Sequence, residues 1–127
     1  MTLSEAIFRH VTGCVGDALV YAVSAPMAEV EGQSVVIIAF DGATITSLSE
    51  PSTRESLYTI SAVSSDHLAA ITLAEAICEA FHGFGGVMGG VGGVDVVDVD
   101  ASEAPEDYDP ENALFARNVS LRVTYEF

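Results

Sequence analysis

The sequence has no lysine, and its only strong cations are four arginines, Arg9, Arg54, Arg117 and Arg122, against 19 acidic residues and a formal net charge of −15. Phosphate backbones are gripped by clustered cations, so nucleic-acid binding through phosphate contacts is excluded, and an anionic membrane surface is disfavoured for the same reason. Two explanations account for the acidity. Acidic side chains promote solubility, and a host with high internal salt would screen their mutual repulsion. Cysteine is also scarce. Cys14 and Cys78 fall at apolar positions of expected helices and read as buried free thiols rather than a disulfide. Without a histidine at ligand spacing they do not form a zinc site. No apolar run approaches the roughly 18 residues of a membrane span. The start, Met1-Thr2-Leu3-Ser4-Glu5, lacks the basic and apolar regions of a secretory signal.

What is present suits one α+β domain over residues 1–127, half of whose residues are hydrophobic. Thr2 with Glu5 forms a capping-box pattern. Leu3, Ile7, Val11 and Cys14 then recur at helical spacing, and Gly13 and Gly16 mark the end of that helix. Strand signals follow at Ala18–Ser24 and at Gln33–Phe40, the latter apolar on both faces. Asp41-Gly42 is a hairpin signal, with Thr44–Leu48 as a returning strand or a continuation past a bend. In Glu55–Ser64, Leu57, Thr59, Ser61 and Val63 point one way and Tyr58, Ile60 and Ala62 the other. Ser64-Ser65-Asp66 offers caps to a helix over His67–His82. Its apolar side is Leu68, Ile71, Ala74, Ile77, Cys78 and Phe81, and Gly83 is a natural C′ residue. The glycine-rich stretch 83–93 reads as a flexible loop. Val94–Ala101 reads as a strand, 102–112 as an exposed acidic loop, and Phe115–Phe127 as a final alternating strand. The expected architecture is an antiparallel or mixed β-sheet with two helices packed on one face.

Several chemistries fail at the residue level. The glycine-rich stretch has no following lysine and no G-x-G-x-x-G register. Gly-Gly-Val-Gly-Gly-Val-Asp-Val-Val resembles half of a calcium-binding nonapeptide, but such sites need stacked repeats. The acidic loop offers oxygen ligands for Ca²⁺ or Mg²⁺ without the spacing of a helix-loop-helix site. His10, His67 and His82 fall at helix positions suited to solvated or capping roles, His82 beside the second helix's C-terminus. No serine sits in a G-x-S-x-G elbow. The chain is therefore expected to be no enzyme and to carry no cofactor or metal.

One constellation spans most of the chain: the strand Leu57-Tyr58-Thr59-Ile60-Ser61-Ala62-Val63, the Ser/Asp cap, the alanine-rich helix closing on Gly83, then Asp109-Pro110-Glu111 and the strand Arg117-Asn118-Val119-Ser120-Leu121-Arg122-Val123-Thr124-Tyr125-Glu126-Phe127. It resembles the tail-terminator, or tail-completion, family of long-tailed phages and related viruses. Many members place a proline just before the second core strand, where this chain has Gly32-Gln33 and carries Pro26 earlier. The resemblance implies a structural virion protein of the tail or neck, assembled in the host cytoplasm. It implies a ring, commonly a hexamer, that caps the tail tube. The implied partners are further copies of the chain, the tail tube protein and the head–tail connector protein, with DNA passing through the lumen without specific binding and no membrane. Within the two elaborated loops, Gly85, Val87, Met88 and Val91 and then Glu106, Asp107, Tyr108 and Asp109 are the candidate partner contacts. A connector (stopper) or tube subunit, and a small cytoplasmic α+β ligand-binding domain, stay open as alternatives.

Overall fold

The structure is a computed structural model that describes residues 2–15, 19–22, 35–45, 53–103, 107–110 and 113–126. The expected strand limits between residues 23 and 34, the turn 49–52 and Glu106 and Glu111 lie outside these residues. In chain order the elements are α1 (Leu3–Cys14), β1 (Leu19–Ala22), β2 (Val35–Ile45), β3 (Thr53–Ser64), α2 (His67–Phe81), β4 (Gly86–Met88), β5 (Val94–Glu103), β6 (Asp107–Asp109) and β7 (Leu114–Glu126). One sheet runs β1-β2-β3-β7-β5-β4, and β6 pairs with the start of β7. All pairings are antiparallel except β1 with β2, so the sheet is mixed.

Both helices form for the local reasons visible in the sequence. Thr2 Oγ1 accepts the Glu5 amide at 3.2 Å, satisfying one orphan donor of α1. The Asp66 carboxylate accepts the Leu68 amide at 3.1 Å and starts α2. Gly83 takes φ 75° directly after the C-cap His82, a conformation that disfavours a side chain. The helices lie on the same face of the sheet. The core joins Leu3, Ala6, Ile7 and Val11 of α1 with Ala74, Ile77 and Phe81 of α2. Beneath them lie Val36 and Ile38 of β2, Tyr58, Ile60 and Ala62 of β3, and Val119, Leu121 and Val123 of β7. The inward set of β3 is the one its alternation indicates. In α2 the buried stripe is Ala70, Ala74, Ile77 and Phe81, and Leu68 is 72% exposed. Leu68 was expected on the apolar side. It precedes Ala70 by two residues, about 200° around the helix, so when Ala70 faces the sheet Leu68 faces away from it.

Two bulges rephase the strands. Asp41-Gly42 does not turn the chain back; β2 continues through it to Ile45, with a register shift between Phe40 and Gly42 opposite β3. Gly42 adopts φ 143°, which lets the bulge form within a strand rather than a hairpin. In β5 a second shift lies between Val96 and Asp98. Strict alternation would send Asp98 and Asp100 inward with Val96. The bulge instead puts Val96, Val99 and Ala101 in the core and leaves Asp98 and Asp100 exposed.

The stretch read as the loop 83–93 contains β4, paired with Val94–Val96 of β5, and Met88 is fully buried. The stretch read as the loop 102–112 holds the last two residues of β5 and the short β6, whose Tyr108 faces Phe115 in register. Backbone pairing to long neighbouring strands drives both elements. Neither has a side-chain pattern long enough to announce it.

Candidate functional site

The outer face of the sheet, away from the helices, is divided along its length. At one end Val35, Val63 and Leu114 form a small second apolar cluster, backed by Ile37 and Ala116. Toward the other end it is polar and cross-linked by side chains. Ser61 Oγ donates to Asn118 Oδ1 at 2.7 Å, and Thr59 Oγ1 donates to Asp41 Oδ2 at 2.6 Å. Arg122 pairs with Glu55 at 3.4 Å; a second pair, Arg117 with Glu103 at 3.5 Å, lies at the margin of the opposite, helix-side face, in register with Ala62 and Val119. Such partly exposed pairs fix register and specificity more than they add stability. A shallow cavity of about 200 Å³ lies among Asp41, Leu57, Asp100, Ser102, Ser120 and Arg122. Among the described residues, no group of His, Cys, Asp and Glu is arranged to hold a metal ion.

The histidines are structural in geometry. His10 Nε2 lies 2.9 Å from the Ala80 carbonyl, so it donates to one of the free carbonyls ending α2. Its ring packs edge-on against Phe81 and Phe84, with centroids 4.6 and 4.9 Å away. The α2 C-terminus is thus served by His10, from the other helix. His82 was expected in that role, but it turns to β5, where its Nδ1 accepts the Ala101 amide at 3.2 Å. An Nδ1 that accepts a hydrogen bond carries no proton, so its 3.8 Å approach to Asp100 is not a charge pair in this arrangement. His67 packs on Phe115 at 4.7 Å.

Tyr58 belongs to the core, whereas Cys14 and Cys78, expected to be buried, are free thiols half-buried against it. Burial pushes the Cys14 thiol up, partly opposed by a backbone hydrogen bond, and Cys14 Sγ points at the Val11 carbonyl at 3.3 Å. The Cys78 thiol is raised by burial first and by Glu103 and Glu79 next. Burial likewise raises the Tyr58 phenol, opposed by its 2.8 Å hydrogen bond to Ser4 Oγ, with nearby Tyr125 adding to the rise. Raised thiols are poor nucleophiles.

The sequence-derived contact candidates occupy two separate places. Val87 is 56% exposed and Val91 fully so, and Gly85 is open to solvent beside them. Met88 belongs to the core, because the β4–β5 pairing turns it inward, and its side chain has no surface to offer a partner. Tyr108 is half exposed and stacks on Phe115 at 4.7 Å, with Asp107 and Asp109 flanking it in β6. The two sets are not brought together. β4 pairs with Val94–Val96 of β5, whose Val96 faces Tyr125 near the end of β7, whereas β6 pairs at Leu114–Ala116, the opposite end of β7.

One surface escaped the sequence reading. A groove of about 370 Å³ runs between α1 and β2, lined by Ser4, Glu5, Phe8, Arg9, Ile38, Phe40 and Tyr58. Phe40 is 56% exposed and Phe8 38%. The signal was present. Phe8 lies off the stripe formed by Leu3, Ile7 and Val11, an aromatic on the polar side of an amphipathic helix.

No protein-family model and no curated protein matches this chain. In structure it is similar to a chain of the solved virion of a native gene transfer agent particle, with a TM-score of 0.66 and 16% sequence identity, over 98% of this chain and 95% of that one. At that identity the likeness establishes a shared fold.

Proposed function

We propose that this chain is a structural protein of a virion-like particle, a tail terminator that forms a ring on the tail tube and joins it to the head-side connector. The observation that carries this reading is the end-to-end fold likeness to a chain of a virion, 98% of this chain against 95% of that one. The order of elements agrees with the family that the sequence resembles. The surface chemistry supports assembly over catalysis. The exposed features among the described residues are sheet edges, a cross-linked polar sheet face and isolated apolar side chains, which suit contacts between subunits. β1 and β4 each pair on one side only among the described residues, leaving edges that neighbouring copies can cover. Contacts between unlike surfaces of identical subunits close into rings, and a hexamer is the size the family implies.

With a net charge of −15, acidic side chains facing the channel would repel DNA phosphates and let DNA pass without sticking. The β4 hairpin with Gly85, Val87 and Val91, and the β6 segment Asp107–Asp109 with Tyr108, are the surfaces proposed to meet tube, connector or neighbouring copies. Electron microscopy of the purified protein tests the reading. Rings with a central hole are the expected result, and solitary particles at every concentration and salt, together with absence from any particle of its host, overturn it.

A further inference from the structure

Beyond β4, the outer edge of β5 is finished by the end of a helix instead of by a strand. β4 covers only Val94–Val96 of a strand that runs on to Glu103. Past that point the last turn of α2 and the two residues after it take over. The Gly83 amide donates to the Val99 carbonyl at 2.9 Å, the Ala101 amide donates to His82 Nδ1 at 3.2 Å, and Cys78 Sγ lies 3.7 Å from the Ala101 carbonyl. These are backbone groups that a further strand would use. An open edge is a template for pairing with another chain, and covering it prevents that pairing. The Gly83 contact is indifferent to pH. The His82 contact is not. It requires a bare Nδ1, and a ring protonated on both nitrogens has no acceptor to offer. Histidine is the side chain that changes charge between about pH 5 and 8.

The alternative partner is already in place. Asp100 Oδ1 lies 3.8 Å from the same Nδ1, and both side chains are more than half exposed, so the ring is free to turn between them. A protonated Nδ1 repels the Ala101 amide hydrogen and is drawn to the carboxylate. The other acids of this region favour the charged ring as well. Glu79, one turn earlier on α2, and Glu103, at the end of β5, both act on Cys78, and Asp98 is exposed on β5. Arg122, opposite Asp100 on β7, is paired with Glu55, and His10 of α1 reaches the Ala80 carbonyl two residues before His82. Phe84, Gly85 and β4 carry no titratable side chain. We propose that His82 is a pH-sensitive guard of the β5 edge: neutral, it caps the Ala101 amide and closes the edge; protonated, it swings to Asp100 and leaves that amide open. The guard works within one molecule, so it stands or falls independently of the ring reading.

Hydrogen exchange of the full chain, followed residue by residue by NMR from pH 8 to pH 5 and corrected for the intrinsic pH dependence of exchange, tests this. Protection of the Ala101 amide should fall about tenfold, the effect of losing one hydrogen bond. The fall should share its midpoint with the His82 ring resonances, while the Leu121 amide stays protected and so excludes general unfolding. His82→Asn supplies a side-chain oxygen near the Nδ1 position that does not titrate, and should keep Ala101 protected throughout. His82→Ala should leave it open at both ends of the range. Asp100→Asn removes the charge that receives the protonated ring, and should move the fall to lower pH. Ala101 protection that stays level through the His82 titration, or that falls equally in His82→Asn, overturns the proposal, and a curve unmoved by Asp100→Asn overturns the part given to Asp100.

Discussion

Gly93→Ala and Gly13→Ala should change stability in opposite directions, and the difference separates a packed hairpin from a loose loop. A Cβ placed on Gly93 would lie 2.1 Å from the Met88 carbonyl oxygen and 2.8 Å from that of Gly90, against a practical floor of 3.0 Å. Both obstacles are backbone atoms, and the Gly93 amide is bonded to that same Gly90 oxygen at 3.0 Å. No rotamer change relieves the clash; the turn must open. Opening it unpairs Gly86–Met88 from Val94–Val96 and exposes Met88, which is now fully buried. Losing the burial of one methionine costs about 1.5–3 kcal/mol, and release of the hairpin caps the damage near that value. At about 4 °C per kcal/mol for a domain of this size, the melting temperature should fall by about 6–12 °C. Gly13 lies inside α1 with nothing within 4 Å of its would-be Cβ. Alanine there should add about 0.5 kcal/mol and about 2 °C by lowering the entropy of the unfolded chain. Thermal melts of both variants followed by circular dichroism, at one protein concentration because assembly shifts the midpoint, provide the comparison. If 83–93 were an unpacked loop, Gly93→Ala would also stabilise, so a Gly93→Ala protein melting at or above the wild-type temperature refutes the packing argument.

His10→Ala should cost about 1–2 kcal/mol in urea denaturation, combining one hydrogen bond to a helix-terminal carbonyl with two edge-on ring contacts; a change under a few tenths would show that the α2 terminus finds water instead. The thiols of Cys14 and Cys78 are raised in the fold, so their contribution to stability is complete below the ordinary thiol value of about 8.5 and is lost as pH rises through the higher folded values. Urea midpoints should therefore fall from pH 8 to pH 10 more in the wild type than in a Cys14→Ala, Cys78→Ala double variant, and parallel curves would refute the assignment. Raising KCl to molar levels should raise the melting temperature by screening a net charge of −15; unchanged or lower stability counts against adaptation to high salt.

The legible parts of the fold are those whose information is local. The Thr2 and Asp66 caps, the spacing of Leu3, Ile7 and Val11, and the alternation of Tyr58, Ile60 and Ala62 each state a period and a phase within one segment, and the structure follows them. The misread parts depend on a neighbour. Asp41-Gly42 has the composition of a hairpin, yet β3 pairs continuously from Arg54 to Val63 with both sides of the bulge, which keeps β2 running outward. Leu68 carries an apolar side chain on a helix, but the seating of Ala70, Ala74, Ile77 and Phe81 on the sheet turns it outward.

By itself the sequence determined an α+β domain: amphipathic helices and alternating strands follow from side-chain order, because periods of 3.6 and 2 are properties of the backbone. Its charge is equally fixed by composition. Only the tertiary structure decided that Met88 is core while Val87 and Val91 are surface, that β4 and β6 stand at opposite ends of β7, and that Phe8, Phe40 and Arg9 share one groove. Those facts depend on register between strands and on the seating of a helix against a sheet. Both are set by the pairing energy of segments far apart in the chain, which no single segment encodes.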